Sequence, residues 1–287
     1  MRTRRGPFAG QIVVVTAAGS GIGRATAQAF GRAGARVHLV DVAPQRVTEA
    51  SAELVAAGHS ASPHVVDCTD ADQVASLAAK IFHDEGRVDV LQNGVGALLA
   101  APAETLSAQD WHRAIDTNIG SVINGIAAFL PAMLEQGGGG HIVNVASVAG
   151  LVGFPYVAPY CATKFALVGL SEALALELAG RVGVTAVCPG MVRSNLVADG
   201  QLRLPGRWAE LFDWAFANLA ADPDRVARAI LRAVARNDSL VTPAPLLPQL
   251  WRLKRLAGPG FSRGAQGATR LARWLGSLTT QTDPPKQ

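Results

Sequence analysis

The sequence predicts an α/β fold in which a doubly wound parallel sheet of about seven strands carries helices on both faces. Short runs rich in Val, Ile and Leu alternate with longer alanine-rich stretches through most of the 287 residues. Such alternation is typical of a parallel sheet, and the first run ends in a glycine-rich turn. The predicted strands lie near residues 11–16, 36–41, 62–66, 88–92, 141–146, 183–188 and 239–242.

A glycine-rich turn follows the first strand. Residues 17–23 include three glycines, and Arg24 then opens an alanine-rich helical stretch. Glycine permits a tight turn and a close approach of the backbone to a ligand, and a helix N-terminus attracts phosphate groups. We therefore expect this turn to bind the pyrophosphate of a dinucleotide. An ordinary turn between a strand and a helix is the alternative.

The second strand ends in Asp41, 18 residues beyond Gly23. An acidic residue about 20 residues after such a glycine motif accepts hydrogen bonds from the adenosine ribose. Its charge repels the 2′-phosphate of NADP, so Asp41 favours NAD over NADP. Arg24 is the nearby cation that could weaken this preference, because Val42 and not an arginine follows Asp41. A helix N-cap or a solvated strand end is the alternative role of Asp41.

Tyr160 and Lys164 are spaced i, i+4. On a helix this spacing puts the two side chains on one face. A free phenol has a pKa of about 10, and a neighbouring cation lowers that pKa. The pair therefore predicts a phenol that donates and accepts protons near neutral pH.

Together with further motifs in the same order, these features resemble the short-chain dehydrogenase/reductase family, which has a single domain of the Rossmann type. The resemblance covers about residues 8–242. The matched motifs are the turn at 16–23, the strand end at 93–96, Asn118, Ser147, Tyr160 with Lys164, and the Pro-Gly strand end at 189–194. Tyr160 follows Ser147 by 13 residues, as expected in this family.

The chain departs from the family pattern at two places. Ala17 stands where the Thr-Gly-x-x-x-Gly-x-Gly turn usually has its first glycine, and its methyl group could strain the turn. Gly94 and Val95 replace the second Asn and the Ala of the usual Asn-Asn-Ala-Gly strand end. These changes bear on cofactor affinity rather than on the chemistry.

The resemblance implies that four residues carry the reaction. Tyr160 would act as the acid or base, and Lys164 would lower its pKa and bind the nicotinamide ribose. Ser147 would hydrogen-bond the substrate oxygen, and Asn118 would position a water that links Lys164 to solvent. The alternatives are a strand-end turn serine for Ser147, a buried structural amide for Asn118 and a solvated helix residue for Lys164.

The resemblance also implies a set of cofactor-binding residues. Asp67 would lie near the adenine ring, with a helix N-cap as its alternative role. Ser194 and the backbone at Val192 would contact the nicotinamide carboxamide. The whole set is Thr16, Gly19, Ser20, Gly21, Ile22, Gly23, Asp41, Asp67, Cys68, Asn93, Gly94, Tyr160, Lys164, Pro189, Gly190, Val192 and Ser194.

Residues 195–221 are expected to form a lid over the active site. Trp208, Leu211, Phe212, Ala215 and Leu219 recur at helical spacing and make one apolar face. This face either covers a hydrophobic alcohol or ketone or packs on the core.

Residues 1–245 are expected to form one dinucleotide-binding and catalytic domain that includes this lid. Residues 246–287 form a basic, amphipathic C-terminal extension. The extension could extend the substrate pocket, pack across a partner subunit, lie on an anionic membrane surface, or be solvated.

Composition narrows the remaining function classes. The net charge is +4, but the arginines are scattered apart from those in the extension, and we expect no nucleic-acid partner. The three cysteines have no metal-ligand spacing, so we expect no metal and reduced thiols in the cytoplasm. No run of 18 apolar residues is present, and on that ground we expect no membrane-spanning helix. Apolar residues on several faces of the helices near 107–135 and 157–180, together with the family resemblance, imply a homodimer or homotetramer.

The sequence therefore predicts an NAD-dependent oxidoreductase that transfers a hydride between nicotinamide and a hydrophobic secondary alcohol or ketone. The substrate would resemble a sterol, a terpenoid or a fatty-acyl compound. The alternatives are an NADP-dependent ketone reductase and a non-catalytic protein that senses a cofactor.

Overall fold

The computed structural model describes residues 6–244 and 247–280, with only the backbone described for Arg207, Leu247, Ala268 and residues 271–280. The strands are β1 (Ile12–Thr16), β2 (Arg36–Asp41), β3 (Ala61–Val65), β4 (Val90–Asn93), β5 (Leu99–Ala100), β6 (His141–Val145), β7 (Gly183–Val187), β8 (Gln201–Leu202) and β9 (Leu240–Val241). The helices are α1 (Gly21–Arg32), α2 (Pro44–Ala56), α3 (Ala71–Glu85), α4 (Ala108–Ile115), α5 (Ser121–Glu135), α6 (Ala158–Glu177), α7 (Arg207–Leu219), α8 (Pro223–Arg236), α9 (Leu247–Ala257) and α10 (Pro259–Thr280).

Seven strands form one parallel sheet in the order β3-β2-β1-β4-β6-β7-β9. The predicted doubly wound parallel sheet is confirmed, and each predicted strand ends within two residues of an observed one. The short strands β5 and β8 form a second parallel pair, which the sequence analysis did not predict because each has only two residues.

The strand order reverses at β1, which pairs with β2 on one side and with β4 on the other. In open α/β sheets, ligands bind in the crevice outside the carboxyl ends of the strands at such a switch point. The fold therefore brings the ends of β1, β2, β4 and β6 to one edge, where the predicted site residues follow them.

Helices cover both faces of the sheet. Successive side chains of β1 point to opposite faces and so pack against different helices. Val13 and Val15 belong to one buried cluster with residues of α1 and α2. Val14 belongs to a second cluster with Leu91 and Phe129 of α5. A strand buried on both faces reads as a continuous apolar run, which explains the sequence of β1.

The first helix of the C-terminal extension packs on the rest of the chain. Leu250 and Trp251 of α9, with Phe261 at the start of α10, lie against a buried cluster that includes Ala146 and Cys188. The predicted domain boundary at 245/246 lies outside the described residues. Packing of α9 on its own chain was not among the roles predicted for the extension.

One helical stretch among the described residues, Ala108–Glu135, is long and apolar enough to cross a membrane by length and composition. The sequence analysis had missed this stretch because its apolar residues do not form one continuous run. Phe129 and Met133 of its second half are fully buried in the core cluster that covers the sheet. Core helices of globular proteins meet the same criterion, so length and composition alone are weak evidence for a membrane span.

Candidate active site

A cavity of about 670 Å³ lies at the switch point of the sheet, within the usual range for a small-molecule site. Asp41 and the glycine-rich turn line one part of it, the side chains of Tyr160 and Lys164 another, and Trp208 of the lid a third. The predicted residues that line it are Ser20, Gly21, Ile22, Gly23, Asp41, Asp67, Cys68, Gly94, Ser147, Tyr160, Lys164, Pro189, Gly190, Val192 and Ser194.

Four predicted residues lie behind the cavity wall and support it. Thr16 Oγ1 donates to Gln92 O at 3.1 Å and accepts from Gly94 N at 2.8 Å, so it ties β1 to the end of β4. Asn93 Nδ2 donates to Asn144 Oδ1 at 2.9 Å. Gly19 and Asn118, the other two, are placed below.

The glycine-rich turn is packed so closely that Gly21 and Gly23 leave no room for a side chain. A Cβ at Gly23 would lie 2.1 Å from Ala17 O, and a Cβ at Gly21 would lie 2.6 Å from Ser194 Cβ. Ser20, at the N-cap of α1, makes no side-chain capping bond within the described chain. The first-turn N–H groups of α1 therefore remain available to a phosphate, and this cradle fits the pyrophosphate of a dinucleotide.

Ala17 adopts the left-handed backbone conformation that the turn requires, with φ 53°. The residue thus follows the path of the glycine that usually stands there, at a cost in backbone strain. The strain predicted from the sequence is present at this residue.

Asp41 lines the cavity at the end of β2 and is held by two backbone groups. Its Oδ2 accepts from Gly19 N at 2.9 Å and its Oδ1 accepts from Ala43 N at 3.0 Å. These bonds fix the carboxylate beside the glycine-rich turn. Asp41 is not the N-cap of α2, since Ala43 occupies that position.

Asp67 also lines the cavity, after β3. Its Oδ1 accepts from Thr69 N at 2.9 Å and from Thr69 Oγ1 at 2.7 Å. The N-cap of α3 is Asp70, so the helix-capping alternative for Asp67 was wrong.

Ser147 follows β6 and opens a short 3₁₀ turn, Val148–Gly150, in which its Oγ accepts from Ala149 N at 3.1 Å. A Cβ at Gly150 would lie 2.4 Å from Lys164 O. This close packing of the turn on α6 brings Ser147 within hydrogen-bond reach of the Tyr160 side chain.

Lys164 is buried, and its Nζ donates to Val145 O at 2.9 Å. The ammonium lies 5.6 Å from the centroid of the Tyr160 ring. Burial lowers the pKa of Lys164 to about 8. With this pKa the lysine remains mostly charged at neutral pH. Because its side chain is buried, the predicted alternative of a solvated helix residue was wrong.

The pKa of Tyr160 was predicted in the wrong direction. Burial raises the pKa of the Tyr160 phenol to about 12, and the hydrogen bond with Ser147 offsets only part of that effect. Loss of water around the phenolate is the largest influence on this pKa, and the ammonium of Lys164 is engaged with Val145 O. At neutral pH the phenol therefore holds its proton.

Asn118 lies in a five-residue π-helical turn, Asp116–Gly120, between α4 and α5. Its Oδ1 accepts from Ala97 N at 2.7 Å, and its Nδ2 donates to Ala97 O at 3.1 Å and to Thr163 Oγ1 at 3.0 Å. The amide thus clamps the chain after β4 to α6. A Cβ at Gly96 would lie 3.2 Å from Lys164 Nζ and 3.4 Å from Asn118 Oδ1, so the chain passes close to both side chains at this glycine.

Several lining residues were missed by sequence reasoning. Arg46 and Asp199 line the same cavity, and so does Tyr156, whose ring lies 5.0 Å from that of Trp208. Tyr156 has a positive φ of 66° and follows Pro155 in the loop between Ser147 and α6. An aromatic residue in that short loop was the available signal.

Comparisons with known proteins agree with this site. A family model described as short chain dehydrogenase matches residues 11–202. EphD of Mycobacterium tuberculosis, named a probable oxidoreductase, is 36% identical over 260 residues, which are 88% of this chain and 44% of that protein. Rat 17-beta-hydroxysteroid dehydrogenase 13 is 34% identical over 244 residues, 83% of this chain and 76% of the relative. The chain thus spans less than half the length of the first relative and about three quarters of the second.

Solved structures extend the likeness to nearly the whole chain. A short chain dehydrogenase/reductase from Burkholderia phymatum in complex with NAD has a TM-score of 0.81 at 28% identity, covering 98% of this chain and 99% of its own. A structure described as an NAD(P) dependent gluconate 5-dehydrogenase from Beutenbergia cavernae, with bound NADP, has a TM-score of 0.74 at 34% identity and covers 85% and 100%. The chain belongs to the short-chain dehydrogenase/reductase family of oxidoreductases.

Proposed function

We propose that the protein is an NAD-dependent oxidoreductase that interconverts a hydrophobic secondary alcohol and its ketone. One observation carries the proposal: a single cavity joins the phosphate cradle and Asp41 to Ser147, Tyr160 and Lys164, and then to an apolar lid. A dinucleotide and a small substrate fit side by side only in such a continuous space.

A bound nicotinamide supplies the hydride acceptor for alcohol oxidation or the hydride donor for ketone reduction. Tyr160 gives its phenolic proton to the substrate oxygen in reduction and takes the hydroxyl proton in oxidation. The raised pKa of Tyr160, about 12, keeps that proton on the phenol at neutral pH, which favours reduction.

Ser147 holds the substrate oxygen beside Tyr160, and its hydroxyl stabilises negative charge that develops on that oxygen. Lys164 places a positive charge behind the phenol, which stabilises the phenolate left after proton transfer. Asn118 keeps Lys164 in place through the clamp on Ala97 and Thr163. A water that links Lys164 to solvent near Asn118 remains part of the proposal.

The choice of NAD rests on Asp41. Its carboxylate is anchored by Gly19 N and Ala43 N and faces the cavity, where it accepts hydrogen bonds from ribose hydroxyls and repels a 2′-phosphate. Relatives of known structure hold NAD or NADP. The alternative is an NADP-dependent ketone reductase, which Arg46, missed in the sequence analysis, would favour if its charge were free.

The hydrophobic substrate class rests on the lid. Trp208, Leu211 and Phe212 line the cavity together with Phe154 and Phe216. An apolar wall of this size binds a ligand by removing apolar surface from water. A relative named for a hydroxysteroid acts on a compound of this chemical class.

We further propose a cytoplasmic homodimer or homotetramer. Ile123 of α5 is 51% exposed and Leu176 of α6 is 77% exposed, as expected of helices that pair with a second subunit. The three cysteines of the described chain are free and buried, which is compatible with a reducing compartment. Neither a nucleic acid nor a resident metal is part of the proposal. Contact of the basic extension with a membrane surface remains an alternative for α10.

The test is a titration of the protein with NADH and NADPH, followed by turnover assays. Substrates would be two secondary alcohols of opposite polarity, an apolar steroid alcohol and the polyhydroxylated gluconate. The proposal predicts tighter binding of NADH and turnover of the apolar alcohol. Tighter binding of NADPH would overturn the cofactor assignment, and turnover confined to gluconate would overturn the substrate class.

A further inference from the structure

An ion pair joins two distant segments that line the cofactor cavity. Arg46 Nη1 donates to Asp199 Oδ2 at 2.7 Å, and Arg46 Nη2 donates to Asp199 Oδ1 at 3.2 Å. The two residues are 153 positions apart; Arg46 belongs to the first turn of α2 and Asp199 to the lid. This two-point geometry satisfies both carboxylate oxygens with one guanidinium.

Arg46 lies beside the residues that are proposed to bind the adenosine ribose. A Cβ at Gly19 would lie 2.7 Å from Arg46 Cβ and 2.9 Å from Asp41 Oδ2. The negative charge of Asp41 is among the influences that raise the pKa of Arg46, after the hydrogen bond and charge of Asp199. A guanidinium therefore stands next to the carboxylate that distinguishes NAD from NADP.

Arg24, the cation named in the sequence analysis, is paired elsewhere. Its Nη2 contacts Glu53 Oε1 on α2. Arg46, unlike Arg24, lines the cofactor cavity together with Asp41.

The backbone of the lid holds Asp199 in place. Asp199 N donates to Asn195 O at 2.7 Å, and Gln201 N donates to Leu98 O at 2.9 Å where β8 begins to pair with β5. The carboxylate is therefore presented to Arg46 by a lid segment that is fixed on its other side.

We propose that Asp199 sets the nucleotide preference by occupying the guanidinium of Arg46. This inference rests on the proposed NAD-dependent function. With Asp199 in place, two carboxylates and one guanidinium stand at the site, and a 2′-phosphate meets a net negative charge. Without Asp199, the charges balance and the guanidinium is free to bind phosphate through two hydrogen bonds.

Three variants separate this effect from a simple loosening of the lid. Asp199→Ala frees the guanidinium, Arg46→Gln breaks the same ion pair without leaving a cation, and the double variant removes both charges. The two side chains are 44% and 53% exposed, so folding should be retained, and thermal melting checks this. NADH and NADPH are titrated against each variant by tryptophan fluorescence, and the result is the ratio of the two dissociation constants.

The ratio Kd(NADH)/Kd(NADPH) is expected to rise about tenfold or more in Asp199→Ala, the effect of one charge-assisted contact to phosphate. It should not rise in Arg46→Gln or in the double variant. An unchanged ratio in Asp199→Ala, or an equal rise in Arg46→Gln, would overturn this inference and leave the NAD preference of the wild type intact. A wild type that binds NADPH more tightly would instead contradict the proposed function.

Discussion

Replacement of Ala17 by glycine is predicted to stabilise the protein. Ala17 has φ 53°, in the left-handed region that costs an L-residue about 1–2 kcal/mol. Glycine relieves this strain but loses about 0.5–1 kcal/mol more backbone entropy on folding. The expected net gain in the free energy of unfolding is about 0.5–1 kcal/mol.

A gain in stability of this size changes the melting temperature only slightly. A chain of 287 residues unfolds with an entropy of about 0.6 kcal/mol/K, so Tm would rise by only about 1–2 °C. Urea unfolding at 25 °C is the better assay, because the midpoint reports stability at a fixed slope.

A second alanine-to-glycine change provides the control. Ala52 is exposed within α2, and glycine there should cost about 1 kcal/mol. The two variants carry the same chemical change and should shift the urea midpoint in opposite directions. If Ala17→Gly were no more stable than the wild type, the strain assigned to Ala17 would be refuted.

Three further predictions follow from buried or anchored charges. Lys254 Nζ donates to Leu151 O at 2.7 Å, behind the turn that follows the candidate catalytic serine. Lys254→Met should therefore destabilise the protein by about 1 kcal/mol and raise KM for the substrate. Arg252→Met on the same helix is the control and should change neither the stability nor KM. Burial lowers the pKa of His141 to about 4 from 6.5, so the unfolded chain binds more protons between these pH values and stability should fall as pH drops through them. Burial also lowers the pKa values of His38 and His64, which add to the same slope. His141→Gln should therefore reduce the loss of stability by up to about 3 kcal/mol over this range, and an unaltered slope would exclude a contribution from His141. The pKa of Lys164 is about 8. If the reaction needs the ammonium, kcat/KM for ketone reduction should be constant below pH 8 and fall about tenfold per pH unit well above it. A constant kcat/KM up to pH 10 would contradict a role for the ammonium.

The central strands of the sheet could be predicted because they are buried on both faces and so read as apolar runs. β1 is the clearest case, with all five residues buried. The short strands β5 and β8 could not be predicted, since two residues carry no periodic pattern. They form because the lid lies against Leu98–Ala100 in three dimensions, which no local pattern records.

The candidate catalytic residues could be placed because their types and spacing reflect local geometry. Ser147 ends a strand, and Tyr160 and Lys164 share a face of α6. The pKa of Tyr160 could not be predicted, because the extent of its burial depends on packing from the lid and from the Val148–Gly150 turn. The sequence suggested a pKa lowered by Lys164, whereas desolvation raises the pKa of Tyr160.

Contacts between exposed residues that are far apart in the chain could not be predicted from the sequence either. Arg46 and Asp199 belong to two segments with no common pattern, and their pairing follows only from where the lid lies. Thr16 and Asn93 were assigned to cofactor binding through the family resemblance. Their side chains join neighbouring strands, a contact that depends on the strand order.

The proposed reaction depends most directly on Tyr160 as the proton donor. The decisive measurement is NADH-dependent reduction of an apolar ketone by the wild type and by Tyr160→Phe, with NADH binding titrated in parallel. Phenylalanine keeps the ring in its buried position and removes only the hydroxyl, so NADH affinity should be retained while kcat falls by about 10²–10⁴-fold. An equal kcat in the two proteins would contradict the assignment of Tyr160.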